Sequence, residues 1–335
     1  MALPLGKLKI DLLEQLLPQP SQDTRVIVGP KIGEDAAVID FGESYLVAKT
    51  DPITFATDEI GWYLICVNSN DIATMGAVPK WLLTTILLPE NRTTEASVRR
   101  IMEQINAACN HFGITLCGGH TEITYGLDRP IVIGQMLGEV AKDKLILSSG
   151  AQAGDDLILT KGLGIEATSI IARECEADLL AKFSPTFLNR TKGYLTSPGI
   201  SVLEEALIAV ETGGVHAMHD PTEGGVATAI HELAHAANLG VVVWQDALLI
   251  SEETAQLCHE LDLNPLGVIS SGALLIATDP TKSNEIVSAI IERNIPCQII
   301  GQLRPPESGC WIETDSQRCP LPIFETDEIT KVFSE

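Results

Sequence analysis

Along the first half of the chain, short runs of alternating or continuous apolar residues take turns with longer segments whose apolar positions return at helical spacing. Residues 45–49, 80–88, 114–117 and 130–140 read as strands, while 59–75 and 93–111 read as helices stopped by Gly76 and Gly113. Strands divided by two long helices suit a split β-α-β sheet with its helices on one face. The stretch AKDKLILSSGAQAG at 141–154 is small and polar at both ends and marks a boundary. Domains over 1–150 and 151–335 follow. In the second, strands at 156–161, 241–244, 273–278 and 297–303 alternate with helices at 165–181, 200–212, from the HDPTEGG turn to Asn238, 252–261 and 282–293. The tail from Arg304, proline-rich and then acidic, is expected to hold little fixed structure beyond Trp311. The pattern predicts a two-domain α/β (α+β) protein.

Composition narrows the function. With 335 residues and 45% hydrophobic content the chain can bury two cores. Its 22 Lys plus Arg against 45 Asp plus Glu leave a net charge of -23, which repels polyanions and argues against a nucleic-acid partner. An aromatic content of 4% gives no stacking platform for bases. No run of 18 apolar residues occurs, and MALPLGKLKIDLLEQLL has the charge alternation of an amphipathic helix, so neither a membrane segment nor a signal peptide is expected. The eight cysteines (66, 109, 117, 175, 258, 297, 310 and 319) form no C-x-x-C pair, which fits reduced thiols in the cytoplasm.

The candidate chemistry lies in four acidic turns: GEDAA (33–37), TDP (50–52), NSND (68–71) and GGHTE (118–122). Each stands at the edge of an apolar segment, so together they can hold Mg²⁺ between carboxylate oxygens and bind a nucleotide through metal. A lysine-based phosphate loop, G-x-x-x-x-G-K-[ST], is absent. Taken singly, Glu34 and Asp35 after Gly33 could be a hairpin tip, and Asp51 could merely end a strand. Asn68 and Asp71 are more telling, because they interrupt an apolar helix, where buried unpaired polar groups are costly; a solvated face is the alternative. In GGHTE, Gly118 and Gly119 let a backbone approach a ligand, and His120, Thr121 and Glu122 offer polar groups in series.

Two motifs are misleading. His231-Glu232-Leu233-Ala234-His235 matches the H-E-x-x-H zinc pattern, but Val226, Ile230, Leu233 and Ala237 share one face and place both histidines on the other. Gly162-x-Gly164-x-x-Ala167 after a strand imitates a dinucleotide fingerprint without its later acid, although Lys161 and Gly162 could still meet a phosphate at the helix start. In HDPTEGG, Asp220 and Thr222 can cap a helix, and Asp220 is also placed to face a substrate.

The ordered set GEDAAVID, KTDPITFA, VNSNDIATMGAVP, CGGHTEIT, GDDLILTKGLGIEAT and HDPTEGGVATAIHELA resembles the aminoimidazole ribonucleotide synthetase (PurM-like) superfamily over nearly the whole chain. Its hydrogenase maturation carbamoyl dehydratase-like (HypE-like) branch is the most similar, and thiamine-monophosphate kinases and selenophosphate synthetases are more distant. The resemblance implies a ferredoxin-like split-βαβ N-terminal domain that pairs with a twin into a dimeric barrel, followed by a C-terminal α/β domain. It implies ATP and Mg²⁺ as cofactors, a small-molecule substrate phosphorylated on an oxygen, and a maturation protein as a possible partner. Carried over by motif, Asp35, Asp51, Asp71 and Glu122 become metal ligands and Asn68 a polar support. Gly33, Glu34, Gly118, Gly119, His120, Thr121, Lys161 and Gly162 line the nucleotide, and Asp71, Asp51, Asp220 and Lys31 serve the chemistry. The chain departs from the carbamoyl dehydratases at its end, DEITKVFSE, since their acceptor is a C-terminal cysteine and the last one here is Cys319. Alternatives are a thiamine-monophosphate kinase-like enzyme and a non-catalytic nucleotide-binding scaffold.

Overall fold

A computed structural model describes residues 8, 10–17, 23–31, 33–54, 58–315 and 317–333. The expected N-terminal helix falls partly outside these residues; its described portion is α1 (Ile10–Leu16). There follow β1 (Val26–Val28), β2 (Ala37–Asp40), β3 (Ser44–Ile53), α2 (Ile60–Thr74), β4 (Val78–Pro89), α3 (Glu95–Phe112), β5 (Thr115–Thr124) and β6 (Ile131–Ala141). The second half comprises β7 (Asp156–Thr160), α4 (Ile165–Glu174), α5 (Glu176–Leu179), α6 (Pro185–Lys192), α7 (Leu203–Thr212), β8 (Val215–His219), α8 (Gly225–Ala236), β9 (Gly240–Trp244) and α9 (Glu252–Glu260). It closes with β10 (Leu275–Thr278), α10 (Ser283–Ile291), β11 (Cys297–Arg304), β12 (Cys310–Glu313), β13 (Arg318–Pro320) and α11 (Thr330–Phe333).

Among the described residues two sheets form, one per half of the chain. The first has the order β1-β2-β3-β6-β4-β5. Because β6 is antiparallel to both β3 and β4, the strands joined by α2 run parallel with β6 between them, which is the split β-α-β unit the pattern predicts. The apolar residues of β4 and β6 alternate: Leu82, Ile86, Val132 and Met136 are buried under the helices, whereas Trp81, Leu83, Leu87, Ile133 and Leu137 are only half-buried on the other face. The second sheet has the order β13-β12-β9-β11-β7-β10-β8 and is apolar on both sides. Leu157 and Leu159 of β7 pack towards α8, and Ile158 packs with α7 and α10.

Helices α2 and α3 show two ways of lying on a sheet. In α3, Thr94 and Ser97 form a capping box, Gly113 turns left-handed at φ +68, and Ile101, Ile105, Ala108 and Cys109 make a narrow buried stripe. In α2 nearly every residue is buried, because one side rests on the first sheet and the other meets α7 and β8. Ala73 of α2 belongs to the α7–α10 core. Conversely, Ile165, Tyr194, Leu195 and Ile200 pack into the core of the first half. Asn70 stitches the halves, donating to the Ile200 carbonyl at 2.9 Å and accepting from the Val202 amide at 2.9 Å.

Several elements differ from the sequence reading. Strand β3 continues through Asp51 and Pro52, so Asp51 lies inside the pairing. GGHTE is part of β5, paired in parallel with β4, and is not a turn. The helix expected over 165–181 breaks at Cys175, and the tail is ordered: Leu321 is buried and Ile329 and Val332 pack on the α4–α9 core. Its apolar residues are too sparse to show a period, which is why composition alone misled.

Candidate functional site at the seam between the two sheets

Strand periodicity sets the first part of the site. Lys49 and Asp51, two apart on β3, share one face, and α2 lies across it. The Lys49 ammonium stands 3.2 Å from Asp71 Oδ1 and 3.4 Å from Asp51 Oδ2. Asn68, one helical turn before Asp71, fixes the strand: its Oδ1 accepts the Asp51 amide at 3.0 Å, and its Nδ2 donates to the carbonyls of Asp51 and Leu64 at 3.3 and 2.9 Å. Gly134 on β6 leaves room for this amide, since a Cβ there would stand 2.6 Å from Asn68 Nδ2. The buried polar residues of α2 are thereby paired, as burial requires.

The second half supplies the rest. β8 ends at His219, the chain turns at Asp220-Pro221, and Gly224 and Gly225, both at positive φ, lead into α8. Gly225 has no alternative, because a Cβ would lie 2.4 Å from the Leu266 carbonyl oxygen. His219 Nδ1 is 2.9 Å from Asp35 Oδ1, and its Nε2 is 3.0 Å from Glu232 Oε2. An imidazole between two carboxylate acceptors needs a proton on each nitrogen, so His219 is an imidazolium. Burial alone would lower its pKa, but Asp35 and Glu232 hold it well above the ordinary value.

Asp35, Asp51, Asp71 and Asp220 thus gather around two protein cations. Burial pushes the Asp71 carboxyl well up against the pull of Lys49. Burial, reinforced by the charge of Asp35 and opposed by His219 and Lys49, raises Asp220 to about 7. Burial also works on Asp35, yet His219 and Lys49 keep it below the usual carboxylate range. Lys49 is raised despite its burial because Asp71, Asp51, Asp35 and Asp220 all face it.

The donor set fits a hard divalent cation. Ligand atoms of Asp35, His219 and Asp220 lie within 4.8 Å of one another. Asp35 Oδ2 is buried and has no hydrogen-bond partner, an orphan that a cation would satisfy. With both nitrogens of His219 committed to carboxylates, the available donors are oxygens, the preference of Mg²⁺.

Other expected residues are placed elsewhere. Glu34 is turned to the Ser148 and Ser149 amides at 3.1 and 3.3 Å, with Lys31, exposed, 3.8 Å behind it. Gly33, at φ +86, packs on α8, where a Cβ would come within 2.8 Å of Ala236. Lys161 faces α7 in a buried pair with Glu205 at 2.8 Å and also donates to the Ser201 carbonyl. Gly162 packs against the Leu249 carbonyl. Within one chain GGHTE does not reach the cluster. Asp51, Gly134, Thr84 and Gly119 form one row across β3, β6, β4 and β5. At about 4.8 Å per strand Gly119 lies about 14 Å from Asp51. Gly118 and Gly119 are exposed with Thr121, and His120 pairs with Glu122 at 3.0 Å at the surface. A Cβ at Gly119 would fall 2.0 Å from the Thr84 carbonyl oxygen, so strand packing accounts for that glycine.

Sequence reasoning missed Lys49, His219 and the clamping part of Glu232. The lysine stood two positions before Asp51, in KTDP, where same-face spacing could have found it. Glu232 was visible only inside the H-E-x-x-H motif, whose members diverge: His231 faces the Leu321 carbonyl at 3.3 Å, and His235 is exposed.

The chain is therefore a two-domain α/β protein with an acidic, internally neutralised cleft where its sheets meet. Family comparison agrees: the model for the AIR synthase related protein N-terminal domain matches residues 33–140 and that for the C-terminal domain matches 152–309, so the chain belongs to the AIR synthase related family. A protein of Methanocaldococcus jannaschii described as a candidate hydrogenase expression/formation protein is 26% identical, with 92% of this chain and 91% of that protein covered. The carbamoyl dehydratase HypE of Rhodobacter capsulatus is 26% identical, covering 86% of this chain and 83% of its own. The thiamine-monophosphate kinase of Pyrococcus horikoshii is 24% identical over 88% and 89%. Among solved structures, hydrogenase maturation protein HypE in complex with ATP superposes with a TM-score of 0.73 at 21% identity, covering 90% of this chain and 92% of that one. A HypE–HypF complex gives 0.72 at 16% identity, covering 87% and 93%. The PurM-like fold is shared with these structures.

Proposed function

We propose that the chain is an ATP- and Mg²⁺-dependent enzyme that activates a small substrate by phosphorylating one of its oxygens. The observation that carries this reading is the seam cluster, above all the buried, unpartnered Oδ2 of Asp35 beside Asp220. Asp35 and Asp220 would hold the metal, with Asp71 paired to Lys49 beside them and Asp51, the most exposed of the four aspartates, towards the phosphates. When bound, the ion supplies charge neutralisation at the transferring phosphoryl group. The substrate oxygen forms a bond to the γ-phosphorus as the bridging P–O bond to ADP breaks, and an oxygen so phosphorylated becomes a leaving group. Asn68 keeps Asp51 in register while charge moves, and His219, gripped by Asp35 and Glu232, ties β8 and α8 to the first half.

The HypE relatives favour a carbonyl or carboxamide oxygen and a maturation protein as partner. The kinase relative favours a phosphorylated thiamine precursor. A nucleotide-binding scaffold is the third reading. Homodimerisation is supported by the half-buried apolar face of the first sheet and by exposed β5, through which a partner could bring His120, Thr121 and Glu122 to this cleft. Residence in the cytoplasm agrees with eight cysteines that form no disulfide, and no described helix is long and apolar enough to cross a membrane. Release of ADP from ATP and Mg²⁺, measured with carboxamides and with thiamine monophosphate, separates the readings. Substrate-stimulated release is expected; nucleotide binding without release under every condition would reduce the protein to a scaffold.

A further inference from the structure

Lys49 has no part in the reading above beyond its charge, yet it sits where a cation is most needed. Its stem rises from β3 on the face it shares with Asp51, its ammonium contacts carboxylates from two different elements, and its side chain is 23% exposed. Two carboxylate oxygens converging on one point from β3 and α2 form the kind of bridge that draws a divalent ion. The other end of the cluster is built differently. There Asp35 Oδ2 is left open, and the nearest protein cation, His219, is already shared with Glu232.

We infer that Lys49 is a built-in substitute for a second divalent ion, filling the position between Asp51 and Asp71 so that the cluster takes a single metal, at Asp35 and Asp220. The inference rests on the proposed Mg²⁺-dependent reading and deepens it by setting the metal count. A merely structural salt bridge would predict something else: its loss would weaken the fold and leave the number of bound metals unchanged.

The test is direct titration of the full chain with Mn²⁺, followed by calorimetry and by the paramagnetic resonance of free Mn²⁺, with and without a non-hydrolysable ATP analogue. Wild type is expected to bind one ion per chain, and Lys49→Met two, with a larger rise in melting temperature on adding Mn²⁺ than wild type shows. Lys49→Arg should keep the wild-type count. Lys80→Met, which removes an ion pair with Glu139 on the same sheet, should keep it too. An unchanged count in Lys49→Met overturns the inference. Should Lys49→Met not fold, wild type still decides: a second Mn²⁺ site in wild type that Asp51→Asn abolishes overturns the proposal, and a single site that Asp35→Asn abolishes supports it. The metal-only arm contains no nucleotide, so a failure of ATP to bind does not alter what it shows about Lys49.

Discussion

The seam cluster and the GGHTE segment of β5 use the same residue types and behave as opposites. At the seam, Asp35 and Asp71 are about nine-tenths buried, and each carboxylate is matched by Lys49 or His219. On β5, His120 and Glu122 also pair at 3.0 Å, but both are open to water. Water screens the second pair to near insignificance, whereas burial leaves the first set strongly coupled. A buried charge persists only where the fold provides a counter-charge, and here the counter-charges come from two different sheets. Charge pairing and domain docking are therefore one event at the seam and unrelated on β5.

His219→Ala should break that contrast most severely. It strips Asp35 and Glu232 of their shared cation and should cost roughly 3–5 kcal/mol in chemical denaturation, the usual penalty for an orphaned buried charge. A cost no larger than that of a surface substitution would mean the carboxylates are already neutral.

Glu166 sharpens the comparison as a buried acid with no cation of its own. Its Oε2 lacks a partner, and burial, with Asp327, Glu223 and Asp220 nearby and a Ser271 hydrogen bond opposing, raises its carboxyl to about 7. Because this folded-state value exceeds the unfolded one of 4.5, ionisation penalises the native state. The penalty is absent below pH 4.5, grows as pH rises, and is complete above about 7. Glu166→Gln should thus stabilise the protein by on the order of 3 kcal/mol at pH 8 and hardly at all at pH 4. An equal effect at both values would remove the electrostatic explanation.

Glu122→Ala should do least, leaving the denaturation midpoint in place because its partner is solvated. If the same variant lost nucleotide binding, β5 of one subunit would have to stand beside the cluster of another.

What the sequence made legible follows physical lines. Periodicity sufficed for the split β-α-β unit, and Asn68 and Asp71 announced themselves because polar groups inside an apolar helix need partners. Asp35 and Asp220 could be chosen because each borders a turn. Lys49 and His219 were harder to see, since a basic residue beside an acid is common in any chain and only the docking of the two sheets shows which acids it meets. The same limit explains Lys161: its position after a strand and before a glycine suggested a phosphate, but the residue that claims it, Glu205, lies on a helix 44 positions later whose placement no local pattern reveals. GGHTE misled because glycine pairs signal turns, while here Gly119 answers to the carbonyl of Thr84 on a neighbouring strand.

The central claim is that the seam carboxylates bind a nucleotide through a divalent ion. Calorimetric titration of ATP into the wild-type chain and into Asp35→Asn, each with Mg²⁺ and with a chelator, tests it most directly. Mg²⁺-dependent heat is expected for wild type, with binding weakened at least about tenfold in the variant, the loss of roughly 1.4 kcal/mol or more. Wild type without heat, or a variant that binds as tightly as wild type, would contradict it.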